Sequence, residues 1–207
     1  MARRRLAAPA TALLTLGGAS PAQAHLVSTG LGPVYDGIAH LALTPEDLIP
    51  VIALALLAGL RGAAPARWAL LALPAFWLAG SLAGRIVAAP VSDDLLPAAS
   101  FVLVGGLVAL DAPLTPRTMT ALAALVGVGH GYADGATLPT GTTGVVVSLG
   151  IVATVTAVFA LAVSLVLPLR SHLARTVVRV SGSWITAAGV LLLGWSLRAG
   201  IRPPDGG

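Results

Sequence analysis

The chain has 207 residues, of which 57% are hydrophobic and only 10% are charged, against roughly 25% charged residues in an ordinary soluble domain. So few charges cannot cover the surface of a soluble globule, and the high hydrophobicity excludes a disordered chain. The absence of cysteine excludes disulfide scaffolds and thiolate metal sites. All basic residues are scattered arginines, a pattern that does not indicate nucleic-acid binding. The composition therefore predicts an all-α integral membrane protein.

Residues 1–24 have the features of a cleavable secretory signal peptide. Arginines at 3–5 precede a short apolar stretch at 6–16, and the segment ends in Ala-Gln-Ala at 22–24. Cleavage there makes His25 the mature N-terminus. The alternative is an uncleaved first transmembrane helix, but the apolar stretch is too short to cross a hydrocarbon core of about 30 Å.

The mature chain is predicted to have two parts. Residues 25–42 are too polar and glycine-rich to span, so we expect a periplasmic or interfacial segment containing a short helix. Residues 43–207 are expected to form a six-helix membrane domain, because a span needs about 20 mostly apolar residues. The candidate spans cover roughly 43–60, 67–88, 95–111, 117–135, 143–168 and 181–200.

Arginine placement predicts the orientation. A cleaved signal peptide leaves the mature N-terminus outside, and alternation of the spans then makes the loops at 61–66, 112–116 and 169–180 cytoplasmic. These loops contain or border six arginines, whereas the outer loops at 89–94 and 136–142 contain none. This follows the positive-inside rule and predicts a multi-pass membrane protein with its mature N-terminus outside.

Local signals predict helix starts and helix packing. Thr44-Pro45 and Thr115-Pro116 each place an N-cap residue before a proline at the first helical position. Gly80 and Gly84 on the second span, and Gly127, Gly131 and Gly135 on the fourth, are spaced for close backbone contact between helices. Arg85, near the outer end of the second span, is expected to snorkel or to pair with Asp93 or Asp94.

Ionisable residues inside a span are costly and are candidates for function. His130 and Asp134 lie four residues apart and share one helix face, and Asp36 with His40 repeats that spacing. From the helical rise, His130 lies about 20 Å above the cytoplasmic end of its span, and Asp47 about 6 Å below the outer end. The candidate metal ligands, which gather in the outer half, are His25, Asp36, His40, Glu46, Asp47, His130 and Asp134.

Imidazoles and carboxylates without cysteine form a nitrogen–oxygen site. Such a site suits a divalent ion such as Ni, Co, Zn, Cu or Mn. His25 adds a chelate, because after cleavage its α-amine and its ring nitrogen are able to bind one metal together.

Each candidate also has a structural explanation. Glu46 and Asp47 fit the capping of a helix, with Asp47 at N3 reaching back to Thr44. His40 fits an interfacial histidine, and His130 with Asp134 fits a structural hydrogen bond. His25 fits a remnant of the cleavage site, and His172, among arginines, is expected at the surface.

Four segments together resemble the HupE/UreJ family of bacterial membrane proteins. They are His25–Thr29, Tyr35–His40, Thr44–Leu48, and His130–Gly135 with Pro139. Members are associated with hydrogenase and urease gene clusters and are regarded as nickel or cobalt permeases. The resemblance covers essentially the whole mature chain. It implies a signal peptide, about six helices, and metal ligands on the first and fourth of them.

The sequence departs from the family's usual pattern at several positions. The family typically has His-Pro and then Asp-His in the first motif, whereas here Leu41 follows His40 and Glu46-Asp47 replaces Asp-His. Asp134 stands where the family typically has a second histidine, and Thr137 where a glutamate is common. The ligand set is therefore richer in carboxylates than is usual for the family.

Three functions remain open from the sequence. The first is a divalent transition-metal permease with a His/carboxylate site between the first and fourth spans. The second is a non-transporting metal-binding accessory protein for metalloenzyme maturation, favoured by weak polarity in the inner half, where only Thr154, Thr156 and Ser164 stand out. The third, an intramembrane enzyme, lacks a nucleophile motif and HExxH, so we expect no enzyme. Expected partners are the bilayer and a metal ion, with a homo-oligomer or a maturation partner left open.

Overall fold

The computed structural model describes residues 28–87 and 95–201, and the side chains up to residue 198. Within these ranges the regular structure is entirely α-helical, without strands. This confirms the predicted all-α class. The seven helices are α1 (Pro33–Leu43), α2 (Pro45–Arg61), α3 (Ala63–Val87), α4 (Leu95–Ala109), α5 (Pro116–Thr137), α6 (Gly141–Val166) and α7 (His172–Ile201).

The six predicted spans overlap α2–α7, but α7 begins at His172, within the loop predicted at 169–180. Not all of these helices are long and apolar enough to cross a membrane. In the described part of the chain three helices are, namely α3, α6 and α7, and the count rises to four if α1 and α2 form one bent span. The apolar α4 has 15 residues, about 22 Å at the helical rise. The 22-residue α5 is long enough, but glycines, threonines, His130 and Asp134 lower its hydropathy.

The first two helices meet at a sharp bend. Thr44 alone separates α1 from α2, and their axes differ by 74°. Pro45 begins α2 as predicted, although the Thr44 side chain makes no capping hydrogen bond. The predicted short helix before the first span is α1, and its last turn is buried on one side, where His40 and Leu41 lie, while Leu43 is exposed.

Glycines bring α3 and α5 into backbone contact. Gly127, Gly131 and Gly135 lie against the backbones of Leu73, Trp77 and Ser81. The numbers of the contacting residues increase in the same direction along both helices, so α3 and α5 run parallel. This is the arrangement required if each predicted span crosses the membrane in turn. The predicted close packing of this glycine stripe is confirmed. It holds the polar face of α5 directly against α3.

An ion-pair network ties α2, α7 and the α4–α5 connection together at the opposite end from the candidate ligands. The guanidinium of Arg61 donates to Asp111, and that of Arg175 donates to the other oxygen of the same carboxylate at 3.4 Å. Arg179 donates to the carbonyl oxygen of Ala109 at 3.1 Å. Thr115 caps α5 by accepting from the Thr118 N–H, as its sequence predicts.

Candidate metal centre

Three side chains from three helices converge in the buried interior. Nε2 of His40, on the last turn of α1, lies 3.1 Å from Asp134 Oδ1 on α5 and 3.9 Å from Asp47 Oδ2 on the first turn of α2. All three residues are at most 6% exposed. One ligand atom from each lies within 4.8 Å of the others. Ligand atoms bound to one ion at about 2.1 Å are themselves about 3–4 Å apart, so this group has the spacing of a metal site.

His130 supports this group. Its Nδ1 donates to Asp47 Oδ1 at 2.7 Å, and its Nε2 lies 2.8 Å from the Ser100 hydroxyl on α4. Because an ionised carboxylate only accepts, Nδ1 carries the proton, and the Ser100 hydroxyl beside Nε2 also donates to the carbonyl oxygen of Leu96 at 2.8 Å. Both ring nitrogens of His130 are thus engaged, and the contact of Nδ1 with Asp47 Oδ1 orients that carboxylate. The His130 ring does not form the predicted structural hydrogen bond with Asp134.

Trp77 on α3 completes the surroundings of Asp134. Its indole N–H donates to Asp134 Oδ2 at 2.9 Å, and its ring stacks on His130 with centroids 5.6 Å apart. The predicted shared face of His130 and Asp134 is therefore confirmed, since one side chain contacts both. Neither Trp77 nor Ser100 was predicted. The available signal for Trp77 was that a tryptophan in mid-span needs an acceptor for its N–H.

Two further candidate ligands, Asp36 and Glu46, lie apart from this group. Asp36 accepts from the backbone N–H and the hydroxyl of Thr29, at 2.6 and 2.7 Å. Glu46 is exposed at the start of α2, and His25 lies outside the described residues. Asp47 does not make the predicted capping contact with Thr44, because its carboxylate faces His130 and His40 instead.

The charge of this site favours a cation. When both are ionised, Asp47 and Asp134 bring two negative charges into the interior of a membrane protein, an arrangement that is costly without compensation. A divalent ion would cancel both charges and use His40 as a nitrogen ligand. The two carboxylates and one imidazole suit first-row divalent metals.

The polar groups near the site continue toward the end of α3. The hydroxyls of Ser81 and Ser148, both 1% exposed, lie 2.8 Å apart, one turn beyond Trp77. One turn further, Arg85 donates to the carbonyl oxygens of Pro139 and Gly141 at 2.8 and 2.7 Å. The guanidinium of Arg85 therefore reaches the predicted outer loop at 136–142. The predicted pairing with Asp93 or Asp94 lies outside the described residues.

The polar residues predicted for the opposite half are satisfied within their own helix. Thr154, Thr156 and Ser164 donate to the carbonyl oxygens of Gly150, Val152 and Leu161. The interior there is filled by large apolar side chains, among them Leu57, Leu73, Met119 and Phe159. His172 is exposed, as predicted.

The comparison with known families agrees with the resemblance seen in the motifs. The family model described as "HupE / UreJ protein" matches residues 13–192. No curated protein and no solved structure matches the chain. The matched range includes all of the buried group as well as Trp77, Ser100 and His130. The chain therefore belongs to the HupE/UreJ family.

Proposed function

We propose that this protein is a divalent transition-metal permease of the bacterial inner membrane, with its mature N-terminus in the periplasm. The observation that carries the proposal is the buried group of His40, Asp47 and Asp134, drawn from α1, α2 and α5. Each of these side chains is desolvated, so a purely structural role leaves two carboxylates to be compensated by imidazoles alone. Membership of a family regarded as nickel or cobalt permeases supports the same function.

The ion's path on the outer side is proposed to run along the polar groups of α3. The hydroxyls of Ser81 on α3 and Ser148 on α6 lie one helical turn from the metal group and are the polar groups proposed for this path. The hydroxyl oxygens offer hard donors to a partly hydrated ion. His25 and Asp36 stay candidates for capture of the ion at the periplasmic face.

The carboxylate-rich ligand set bears on which ion is carried. Imidazole ligands favour Ni, Cu and Zn, whereas carboxylates also accommodate Mn. Two carboxylates and one imidazole are proposed to hold Co, Ni, Zn or Mn with little discrimination by ligand type. Discrimination then depends on the rigidity that Trp77 and His130 give to the two carboxylates.

The second candidate function is a non-transporting metal-binding accessory protein for metalloenzyme maturation. It is favoured by the apolar inner half, where Thr154, Thr156 and Ser164 bond to their own helix. A permease must open a path there by moving helices, whereas an accessory protein need not. The two functions share the buried site and differ only in whether the ion crosses.

The experiment measures binding and transport separately. Purified protein is titrated with Ni, Co, Zn, Cu and Mn, and proteoliposomes are assayed for uptake of the same ions. The permease proposal expects saturable uptake that Asp47→Asn removes, while the matched control Glu46→Gln, an exposed carboxyl next along the chain, retains it. Binding without uptake would establish the accessory function. Equal behaviour of Asp47→Asn and Glu46→Gln in both assays would overturn the buried site.

A further inference from the structure

A groove of about 270 Å³ opens between α3 and α6, at the end of the bundle away from the metal group. It follows one face of α3, through Ala66, Arg67 and Leu70, and the facing side of α6, through Phe159 and Val163. The groove extends along α3 from residue 63 to residue 70, which is about 10 Å at the helical rise. Its walls are apolar except for Arg67 and Ser164. The Ser164 hydroxyl is already used by the carbonyl oxygen of Leu161.

Arg67 is the charged group of this groove. It is exposed, and within the described ranges no hydrogen bond or ion pair involves its guanidinium. Its neighbour Trp68 is 52% exposed, as expected for a tryptophan at the boundary between hydrocarbon and headgroups. The groove therefore lies at the depth where a lipid changes from acyl chain to phosphate. An unpaired guanidinium beside an apolar slot is complementary to an anionic amphiphile, and a neutral lipid would leave it unpaired.

The arginines around this end of the bundle support the same occupant. Arg61, Arg117, Arg175 and Arg179 all belong to helix ends on this side. Asp111 pairs with two of them, so the face retains a positive charge. Basic residues on the cytoplasmic side of membrane proteins attract anionic headgroups. A positively charged face argues against a metal cation as the occupant.

We infer that the α3–α6 groove is a binding site for an anionic phospholipid, with an acyl chain against Phe159 and Val163 and the phosphate on Arg67. The site is separate from the metal group. Its occupation would fill the space between two helices that both line the proposed ion path. The inference does not depend on whether the protein transports a metal.

The test titrates purified protein in neutral detergent with phosphatidylglycerol or with phosphatidylcholine of the same acyl chains. Binding is followed by native mass spectrometry and by thermal unfolding. We expect wild-type protein to bind phosphatidylglycerol at least tenfold more tightly than phosphatidylcholine. Arg67→Gln removes this preference. Arg117→Gln, which deletes the same charge from an exposed site at the same end but outside the groove, retains it.

A second variant tests the apolar part of the site. Ala160→Trp places an indole in the groove and is expected to weaken binding of both lipids, while metal binding reports that the fold is intact. If Arg67→Gln and Arg117→Gln lose the preference for phosphatidylglycerol equally, the preference comes from general surface charge, and the proposed site is overturned. Glycerol phosphate acting as well as the lipid would overturn the acyl-chain assignment. A change of oligomeric state in Arg67→Gln would make a second copy of the chain the occupant instead.

Discussion

The indole N–H of Trp77 donates to Asp134 Oδ2, which leaves Asp134 Oδ1 to face His40 Nε2 at 3.1 Å. The two oxygens of one carboxylate thus have different tasks, one held by α3 and the other directed toward the ligand group. The same indole stacks on His130, which in turn holds Asp47. Both carboxylates of the candidate site are therefore oriented, directly or through His130, by one tryptophan.

Removing the indole donor should weaken metal binding without removing a ligand. Trp77→Phe keeps an aromatic ring against His130 but leaves Asp134 Oδ2 without its partner. Loss of a group that orients a ligand typically costs 10–100-fold in metal affinity. We expect a loss in that range by isothermal titration with the metal that binds wild-type protein best. Trp68→Phe, at an exposed position, is the control, and a variant of Trp77 with unchanged affinity would contradict the orienting role.

His130 should behave as a positioning residue. His130→Ala is expected to lower metal affinity by about 10–100-fold but not to abolish binding, because His40, Asp47 and Asp134 remain. His130→Asn places an amide N–H near the position of Nδ1 and should recover part of the affinity by donating to Asp47 again. Complete loss of binding in both variants would show instead that His130 is itself a ligand, as its sequence position suggests.

The glycine stripe of α5 should be intolerant of even one methyl group. A Cβ at Gly131 would overlap the carbonyl group of Trp77, so Gly131→Ala must separate α3 from α5 or distort them. Overpacking of this kind costs about 1–3 kcal/mol, and thermal unfolding in detergent should show the loss. Gly194→Ala on α7 is the matched control, since a Cβ there meets nothing within 4 Å. Similar unfolding temperatures for the two variants would contradict the close packing.

The mature chain is predicted to begin at His25. The expectation comes from the Ala-Gln-Ala site and requires that the arginines at 3–5 are lost. Intact mass of the purified protein measures this directly. If cleavage occurs, His25→Ala should lower the apparent affinity for the ion in uptake assays without abolishing uptake, because capture and not the buried group is altered. A chain that retains residues 1–24 would remove the basis for the predicted orientation.

The sequence predicted the helices well because their signals are local. Thr-Pro pairs mark the starts of α2 and α5, and the spacing of Gly127, Gly131 and Gly135 predicts their contact with α3. Asp47 and Asp134 were likewise identified from the cost of burying them, and His40 from its four-residue spacing to Asp36. Their partners were not, because the contacts of Trp77 and Ser100 join residues 57 and 30 positions apart, and no local pattern predicts such pairings. The sequence also did not predict that Asp47 is buried while its neighbour Glu46 is exposed, because this depends on which side of α2 faces the bundle.

The bend at Thr44 places His40 on one arm of an elbow and Asp47 on the other. Asp134, by contrast, belongs to α5, whose glycines hold it against α3. An ion bound by all three residues therefore holds both arms of the elbow to a fixed support, and straightening the 74° bend would pull the ligands apart. Occupancy and elbow angle are reciprocally linked. The dissociation constant of the ion consequently includes the free energy of setting that angle, and a substitution at the elbow will alter it without touching a ligand.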